Sequence, residues 1–208
     1  MLKIWGRANS VNVQKVIWCC DELRIPYDRI DAGLEFGRNR DADFLAKNPN
    51  GLVPVIEDGD FILWESNSIL RYLAMQYKGG RGLYPAEAAD RACIDRWLDW
   101  SLSTLQPAER PVFIAMVRTA PEARDMAAVK EQAAKLAALW AIVDAQLEGR
   151  RFIEHDSFSL ADIVLGAFAR RWFGLDGIQR PPMFNLERWY QRLSERASFS
   201  RHIAKPLT

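Results

Sequence analysis

Residues 48–72 read Asn48-Pro49-Asn50-Gly51-Leu52-Val53-Pro54-Val55-Ile56, then Glu57-Asp58-Gly59-Asp60, then Phe61-Ile62-Leu63-Trp64-Glu65-Ser66-Asn67-Ser68-Ile69-Leu70-Arg71-Tyr72. Residues 53–56 and 61–63 are strand-like, and Asp58-Gly59 between them signals a tight turn, so the stretch predicts a hairpin. Pro54 cannot donate to a strand ladder and belongs at a strand start, an edge or a bulge. It also holds Val53 extended, which leaves the Val53 N–H and C=O free to face outward. After Ser66 the apolar positions Ile69, Leu70, Leu73 and Tyr77 follow helical spacing, and Ser66 is a good N-cap.

A helix start has orphan N–H groups and partial positive charge, so it can receive a carboxylate, with the Ser66 hydroxyl as a further donor. Glu65 beside it can hold an ammonium. Carboxylate and ammonium on one carbon describe an α-amino acid group. Taken alone, a Glu-Ser pair also reads as a solvated acid followed by a cap.

Working outward, residues 2–5 read as a strand and 12–23 as a helix with Val13, Val16, Ile17, Cys20 and Leu23 on one face. Residues 27–31 read as a second strand, and a short helical turn is expected at 42–47. The order β-α-β-loop-β-β-α within about 80 residues is that of an α/β thioredoxin-like domain. Lys78-Gly79-Gly80-Arg81-Gly82 reads as a flexible break between a domain of residues 1–80 and an all-α helical-bundle domain of residues 88–208. In the second part, 92–105 is a helix that Pro107 and Pro111 should kink or end. Residues 122–147 form a long helix closed by Gly149, and 185–196 a last one. Ser159-Leu160-Ala161-Asp162 is a capping box opening a buried helix.

The chain has 208 residues, 49% of them hydrophobic, and a formal net charge of +1. Residues 1–80 hold 10 basic and 11 acidic side chains, the rest 18 and 16, so neither half is a platform for nucleic acid. The basic stretch 170–201 is interleaved with acids and reads as solvated helix faces. The first residues are too short and polar for a signal peptide, and no apolar run nears the roughly 20 residues needed to span a bilayer. The three cysteines form no framework, which fits a reducing, cytoplasmic setting. In the adjacent pair Cys19-Cys20, one should face the core and the other not. His155 and His202 lack Asp or Cys partners at metal spacing and read as surface residues, so no metal site is expected.

The chain resembles the cytosolic glutathione transferases of the bacterial, serine/asparagine (theta/beta-like) type. The resemblance rests on Asn48-Pro49-Asn50-Gly51, Val53-Pro54-Val55, residues 64–73, Asn9-Ser10-Val11-Asn12-Val13-Gln14-Lys15-Val16 and the box at 159–162. It covers about residues 1–200. It implies that Val53, before a cis bond to Pro54, binds the cysteinyl backbone of glutathione, and that Glu65 and Ser66 hold the γ-glutamyl end. Many relatives carry Lys, Arg or Gln at the position of Leu52 to reach the glycyl carboxylate. Here Arg38 or Arg40 is the candidate substitute.

Glutathione chemistry needs a thiolate, and a free thiol is mostly protonated at neutral pH. Ser10 and Asn12 stand where the first strand gives way to the first helix. Ser10 can donate O–H and Asn12 N–H, helped by the helix dipole, although both also serve as capping residues. The resemblance matches Ser10 to the catalytic serine of serine-type members and Asn12 to an asparagine that approaches the sulfur in some bacterial ones. Which of them dominates stays open. No tyrosine occupies this region.

The leading expectation is therefore an enzyme that conjugates glutathione, as co-substrate, to a small, partly apolar electrophile, with no other cofactor. A glutathione-dependent disulfide reductase or peroxidase on the same scaffold, and a non-catalytic ligand-binding member, are the alternatives. Phe36, Arg110, Phe113, Met116 and Trp172 are candidate liners of the electrophile site, though aromatics of this kind serve equally as core. The resemblance implies a homodimer, in which Asp95 or Asp99 can face the neighbour's glutathione.

Overall fold

The computed structural model describes residues 1–154 and 156–208. His155, read from the sequence as a surface residue, lies outside them. The N-terminal half is built on four strands, β1 (Leu2–Trp5), β2 (Tyr27–Ile30), β3 (Val55–Asp58) and β4 (Phe61–Trp64). They lie in the order β2-β1-β3-β4. β1 runs parallel to β2, with Leu2 opposite Tyr27, and antiparallel to β3, with Ile4 opposite Ile56. A parallel pair needs a crossover, which α1 (Val11–Leu23) supplies. The hairpin β3–β4 pairs Val55 with Trp64. Pro54 precedes the ladder, so its missing N–H leaves no gap in it. The short α2 (Ala42–Lys47) and then α3 (Ser66–Gln76) complete the thioredoxin-like half.

α1 is covered on every side, packing on α3 within its own half and on two helices of the C-terminal half, α7 (Leu160–Gly174) and α9 (Ala197–His202). Cys19 and Cys20 are consequently both fully buried. The expectation that one would face outward assumed a helix with one wet side. Gly166 of α7 permits this closeness, since a Cβ there would stand 3.0 Å from the Trp18 ring. His202 of α9 is also half-buried rather than on the surface, with Nε2 3.1 Å from Asp21 Oδ2. The linking segment is an ordered 3-10 turn (Gly80–Gly82), not a flexible break. Leu83 and Tyr84 both donate to Gly80 O, and Leu83 O accepts from Leu160.

The remaining helices are α4 (Ala88–Trp100), α5 (Gln106–Phe113), α6 (Met126–Gln146) and α8 (Phe184–Ser194). Of the two outcomes expected at Pro107 and Pro111, a kink or an end to the helix, the structure excludes the end. The chain stays helical from α4 into α5 through a π-helical turn, Ser101–Leu105, and a second π turn, Ile114–Arg118, follows α5. The wider turns absorb the bonds that the two prolines cannot make. α6 begins four residues later than its apolar pattern suggests. Residues 121–123 form a 3-10 turn, and the Asp125 carboxylate caps α6 by accepting from the N–H groups of Ala127 and Ala128, each at 3.0 Å.

The capping box expected at Ser159 is present, and its acid reaches further than a cap. Asp162 Oδ2 accepts from the Ser159 N–H (2.9 Å) and Oγ (3.0 Å). Oδ1 accepts from the Ile153 N–H (3.0 Å) and Trp189 Nε1 (2.8 Å), tying α7 to α8 and the preceding loop. Burial nonetheless lifts this carboxyl to about 6, against those four donors.

Candidate active site

A cleft of about 150 Å³ opens where α1, the loop before β3, the start of α3 and the α4–α5 junction meet. Asn12, Asn48, Asn50, Leu52, Val53, Pro54, Glu65, Ser66, Leu102 and Gln106 line it. The Asn48-Pro49-Asn50-Gly51 loop is shaped by Asn48. Its Nδ2 donates to Leu52 O at 2.9 Å, and its Oδ1 accepts from the N–H (3.1 Å) and Nδ2 (3.0 Å) of Asn50. Gly51 takes φ +62°, and a Cβ there would come within 2.8 Å of Asn39 O and 2.9 Å of Arg40 Nη1. The Arg40 guanidinium therefore packs against Gly51, next in sequence to Leu52; Arg38 and Arg40 are both exposed, and neither side chain makes a hydrogen bond or ion pair among the described residues. The Val53–Pro54 bond is cis.

At the far wall the helix boundary differs by one residue from the sequence expectation. Glu65, not Ser66, is the N-cap of α3, with the unusual backbone φ 70°, ψ 109°. Its carbonyl accepts from Ile69, and its exposed side chain makes no cap bond. Left-handed backbone of this kind in a non-glycine residue stores roughly 1–3 kcal/mol and clusters at ligand sites. The consequence is that the Ser66 hydroxyl is freed from capping. Ser66 Oγ is buried and has no partner among the described residues.

Ser10 is the N-cap of α1, and its hydroxyl makes no cap bond either. Ser10 is 7% exposed, while Asn12, in the first turn that Ser10 opens, is half-buried and lines the cleft. Asn12 Oδ1 is another buried atom with no partner among the described residues. A buried polar atom without a partner calls for an explanation, and two of those here belong to residues lining one small cleft. Cys19 and Cys20 offer no nucleophile, because burial pushes both well up from the usual thiol range, and the third thiol, the half-buried Cys93 of α4, does not line the cleft.

Behind the α3 start lies a group that the sequence reading missed. Lys15 of α1 is fully buried and donates to Asn67 Oδ1 at 3.0 Å. Asn67 Nδ2 in turn donates to Leu98 O (2.7 Å) and Ser101 Oγ (3.3 Å), so α1, α3 and α4 meet in one polar knot. Burial lowers the Lys15 ammonium to about 7, with Glu65 pulling it up and Arg171 pushing it down. Leu102 and Gln106 were also missed, since nothing in their local sequence marks them as cleft residues.

The expected electrophile liners do not gather at this cleft. Phe113 is 3% and Trp172 1% exposed, so both are core residues with no free ring face. Phe113 is covered by the Arg171 guanidinium at 3.6 Å, and Trp172 by Arg180 at 5.3 Å. Met116 lines a separate cavity with Val117, Arg124 and Leu175. Phe36 and Arg110 are exposed. Arg171, read as part of a solvated face, is buried and bonded to Glu109 at 3.0 and 3.2 Å. Burial pushes the Glu109 carboxyl up, and Arg171 opposes that. Asp95 and Asp99 both bond Arg71 of their own chain, at 2.6 and 2.7 Å.

Residues 6–81 match the glutathione S-transferase N-terminal domain family and residues 105–197 its C-terminal domain family. Glutathione S-transferase GstB of Escherichia coli K12 is 45% identical over 210 residues, covering 100% of each chain. Glutathione S-transferase 3 of Zea mays is 31% identical, over 98% of this chain and 93% of its own. A theta class glutathione S-transferase from Xanthomonas axonopodis pv. citri, solved with glutathione bound, superposes with a TM-score of 0.94. It is 41% identical and covers 100% of this chain and 99% of its own. Fold, cleft and full-length similarity agree, and the chain belongs to the glutathione S-transferase family.

Proposed function

We propose that the protein conjugates glutathione to small electrophiles. The observation that carries this reading is the buried, unpartnered Ser66 Oγ at the start of α3, in one cleft with the Val53 backbone and Asn12. Glutathione supplies complementary groups in that order. Its γ-glutamyl carboxylate meets the α3 N-terminus and Ser66 Oγ, with its ammonium toward Glu65. Its cysteinyl backbone pairs with Val53 before the cis Pro54, and its glycyl carboxylate faces Arg40 rather than Arg38.

This places the sulfur toward the first turn of α1. There the Ser10 hydroxyl and the Asn12 amide donate to it, and the positive end of α1 favours the thiolate. Each unit of pKa lowering corresponds to about 1.4 kcal/mol of preference for the charged sulfur. The thiolate attacks the electrophilic carbon in one step, and the leaving group departs without a covalent enzyme intermediate.

Asn12 rather than Ser10 lines the cleft, and this favours keeping one second reading, a glutathione-dependent disulfide reductase or peroxidase in which glutathione supplies both thiols. Calorimetry with glutathione, followed by turnover of 1-chloro-2,4-dinitrobenzene and of a mixed glutathione disulfide, tests all three readings. Binding with aryl halide turnover supports the transferase, disulfide turnover alone supports the second reading, and absence of binding leaves a non-catalytic ligand carrier. The exposed Phe61, Ile62 and Met75 support a homodimer built on the β4–α3 face, which light scattering checks. We place the protein in the cytoplasm. No helix among the described residues is long and apolar enough to cross a membrane.

A further inference from the structure

One turn along α5 from the cleft residue Gln106, around the buried Arg171–Glu109 pair, gathers an excess of guanidinium groups, none of which lines the cleft itself. Gln106 lines the cleft, and one turn further along α5 the same face carries Arg110. Arg118, at the end of the following π turn, lies 5.4 Å from the Phe113 ring, whose face Arg171 covers. Arg7, three residues before Ser10, is half-buried and close enough to Arg118 and Arg171 for their charges to repel, with Glu35 as its attractive neighbour. Arg7 Nη1 donates only to the neutral Asn9 Oδ1, at 3.0 Å, and Arg7 Nε is buried with no partner among the described residues. Arg110 and Arg118 have no carboxylate within ion-pair distance among the described residues. Four guanidiniums thus stand against two carboxylates, Glu109 and Glu35.

Like charges brought together and partly desolvated are stabilised by a counter-anion. Both carboxylates of glutathione already have places, at Ser66 and at Arg40. We propose that this rim selects a second substrate that carries a carboxylate within one ring's breadth of its electrophilic carbon, with Arg7, Arg110 and Arg118 as the specificity-determining residues. The inference rests on the transferase reading above. For a chloroarene the step balances simply. The glutathione sulfur forms a bond to the chlorine-bearing carbon, the C–Cl bond breaks, chloride leaves with the bonding pair, and the thiol proton has already gone to solvent.

The test compares 4-chloro-3-nitrobenzoate with 4-chloro-3-nitrobenzamide, which share ring, leaving group and size and differ in charge. Each kcat/KM is divided by the rate constant for free glutathione thiolate, which removes the intrinsic reactivity difference. The expected result is a normalised preference for the carboxylate of about tenfold at low salt, shrinking several-fold in about 0.5 M salt. In the Arg110→Gln/Arg118→Gln double variant the preference should fall to about one. Both residues are exposed, so the variant should fold, and a thermal melt checks this.

A normalised ratio at or below one in the wild type, or one unchanged by salt and by the double variant, overturns the proposal. So does a rise in the KM for glutathione with the ratio intact, which would assign the rim to glutathione. Turnover of the benzamide without a carboxylate preference rejects the anion rim and keeps the transferase. Absence of both turnover and glutathione binding rejects the two together.

Discussion

Two helices of this protein begin with a serine beside an acid, and they treat these residues in opposite ways. At the start of α7 the Asp162 carboxylate accepts four hydrogen bonds, two of them from Ser159, and no polar atom is left over. At the start of α3 Glu65 makes no cap bond and Ser66 Oγ is buried with nothing to bond. The residue types are nearly the same, but at α7 the protein satisfies its own groups and at α3 it leaves them for something else. Hydrogen-bond accounting therefore separates a structural helix start from a binding one, where residue identity cannot.

The largest effect that sharpens this contrast is expected at α7. Asp162→Ala leaves the donors of Ile153, Ser159 and Trp189 buried without an acceptor, and should lower stability by about 4 kcal/mol. Ser159→Ala, which removes one of the four donors, should lower it by about 1 kcal/mol. Denaturant unfolding measures both. If the folded fraction of either variant has lost turnover, the α7 start is not purely structural.

Lys15 stands between the two cases, fully buried with a single acceptor. Its folded-state pKa of about 7 lies below the ordinary lysine value of 10.5, so between those values the unfolded chain binds more protons and stability rises with pH. Below pH 7 the full penalty of burying the ammonium is present. Lys15→Met should therefore stabilise the protein at neutral pH by about 3 kcal/mol, and that advantage should disappear toward pH 10. Unfolding curves across that range check it, and a pH-independent difference would mean that burial does not lower the Lys15 pKa and that its ammonium stays charged in the folded protein up to the ordinary lysine range.

The same accounting explains what was legible beforehand. The Asp-Gly turn, the helical periodicity after Ser66 and the box at 159–162 are local signals, and the elements they predict are present. α1 reads as a helix with one wet side because the packing of a second half onto it cannot be seen in residues 12–23. That single unknown hid the burial of Cys19 and of Lys15. Phe113 and Trp172 read as site residues because aromatics suit both sites and cores, and only their neighbours, Arg171 and Arg180, decide between the two. The one-residue shift from Ser66 to Glu65 as cap depends on a backbone angle that glutamate rarely adopts, so residue preference pointed to serine.

At α3 the mirror-image outcome is expected. Ser66→Ala removes an atom that the folded protein does not use, so stability should change by less than about 0.5 kcal/mol. Glutathione affinity should fall by roughly 1.5–3 kcal/mol, about ten- to a hundredfold, because the bond lost is to a charged carboxylate. Calorimetry and a thermal melt on the same sample read the two quantities. A destabilised variant with unchanged affinity would erase the distinction between the two helix starts.

Next in size come the residues assigned to the sulfur. Ser10→Ala and Asn12→Ala should each raise the pH at which glutathione-dependent turnover reaches half its maximum by about one unit, corresponding to about 1.4 kcal/mol of lost thiolate stabilisation. The larger shift is expected for Asn12, which lines the cleft, than for Ser10. Identical pH–rate profiles for wild type and both variants would remove these residues from thiolate activation.

The smallest effect concerns Leu52, which is 62% exposed at the rim of the cleft. It stands where the glycyl carboxylate of glutathione would arrive, and an apolar side chain offers that group nothing. Arg40 already packs over Gly51 next to it, so a second cation would act in a site that is partly supplied and open to solvent. Leu52→Lys should then lower the KM for glutathione only two- to fivefold, or about 0.4–1 kcal/mol, with kcat unchanged. Arg40→Gln should undo most of the wild-type affinity at this end, and adding Leu52→Lys to it should restore more than the lysine gains alone. Simple additivity of the two changes would mean that Arg40 and position 52 do not share a ligand group, and the glycyl end would need another partner.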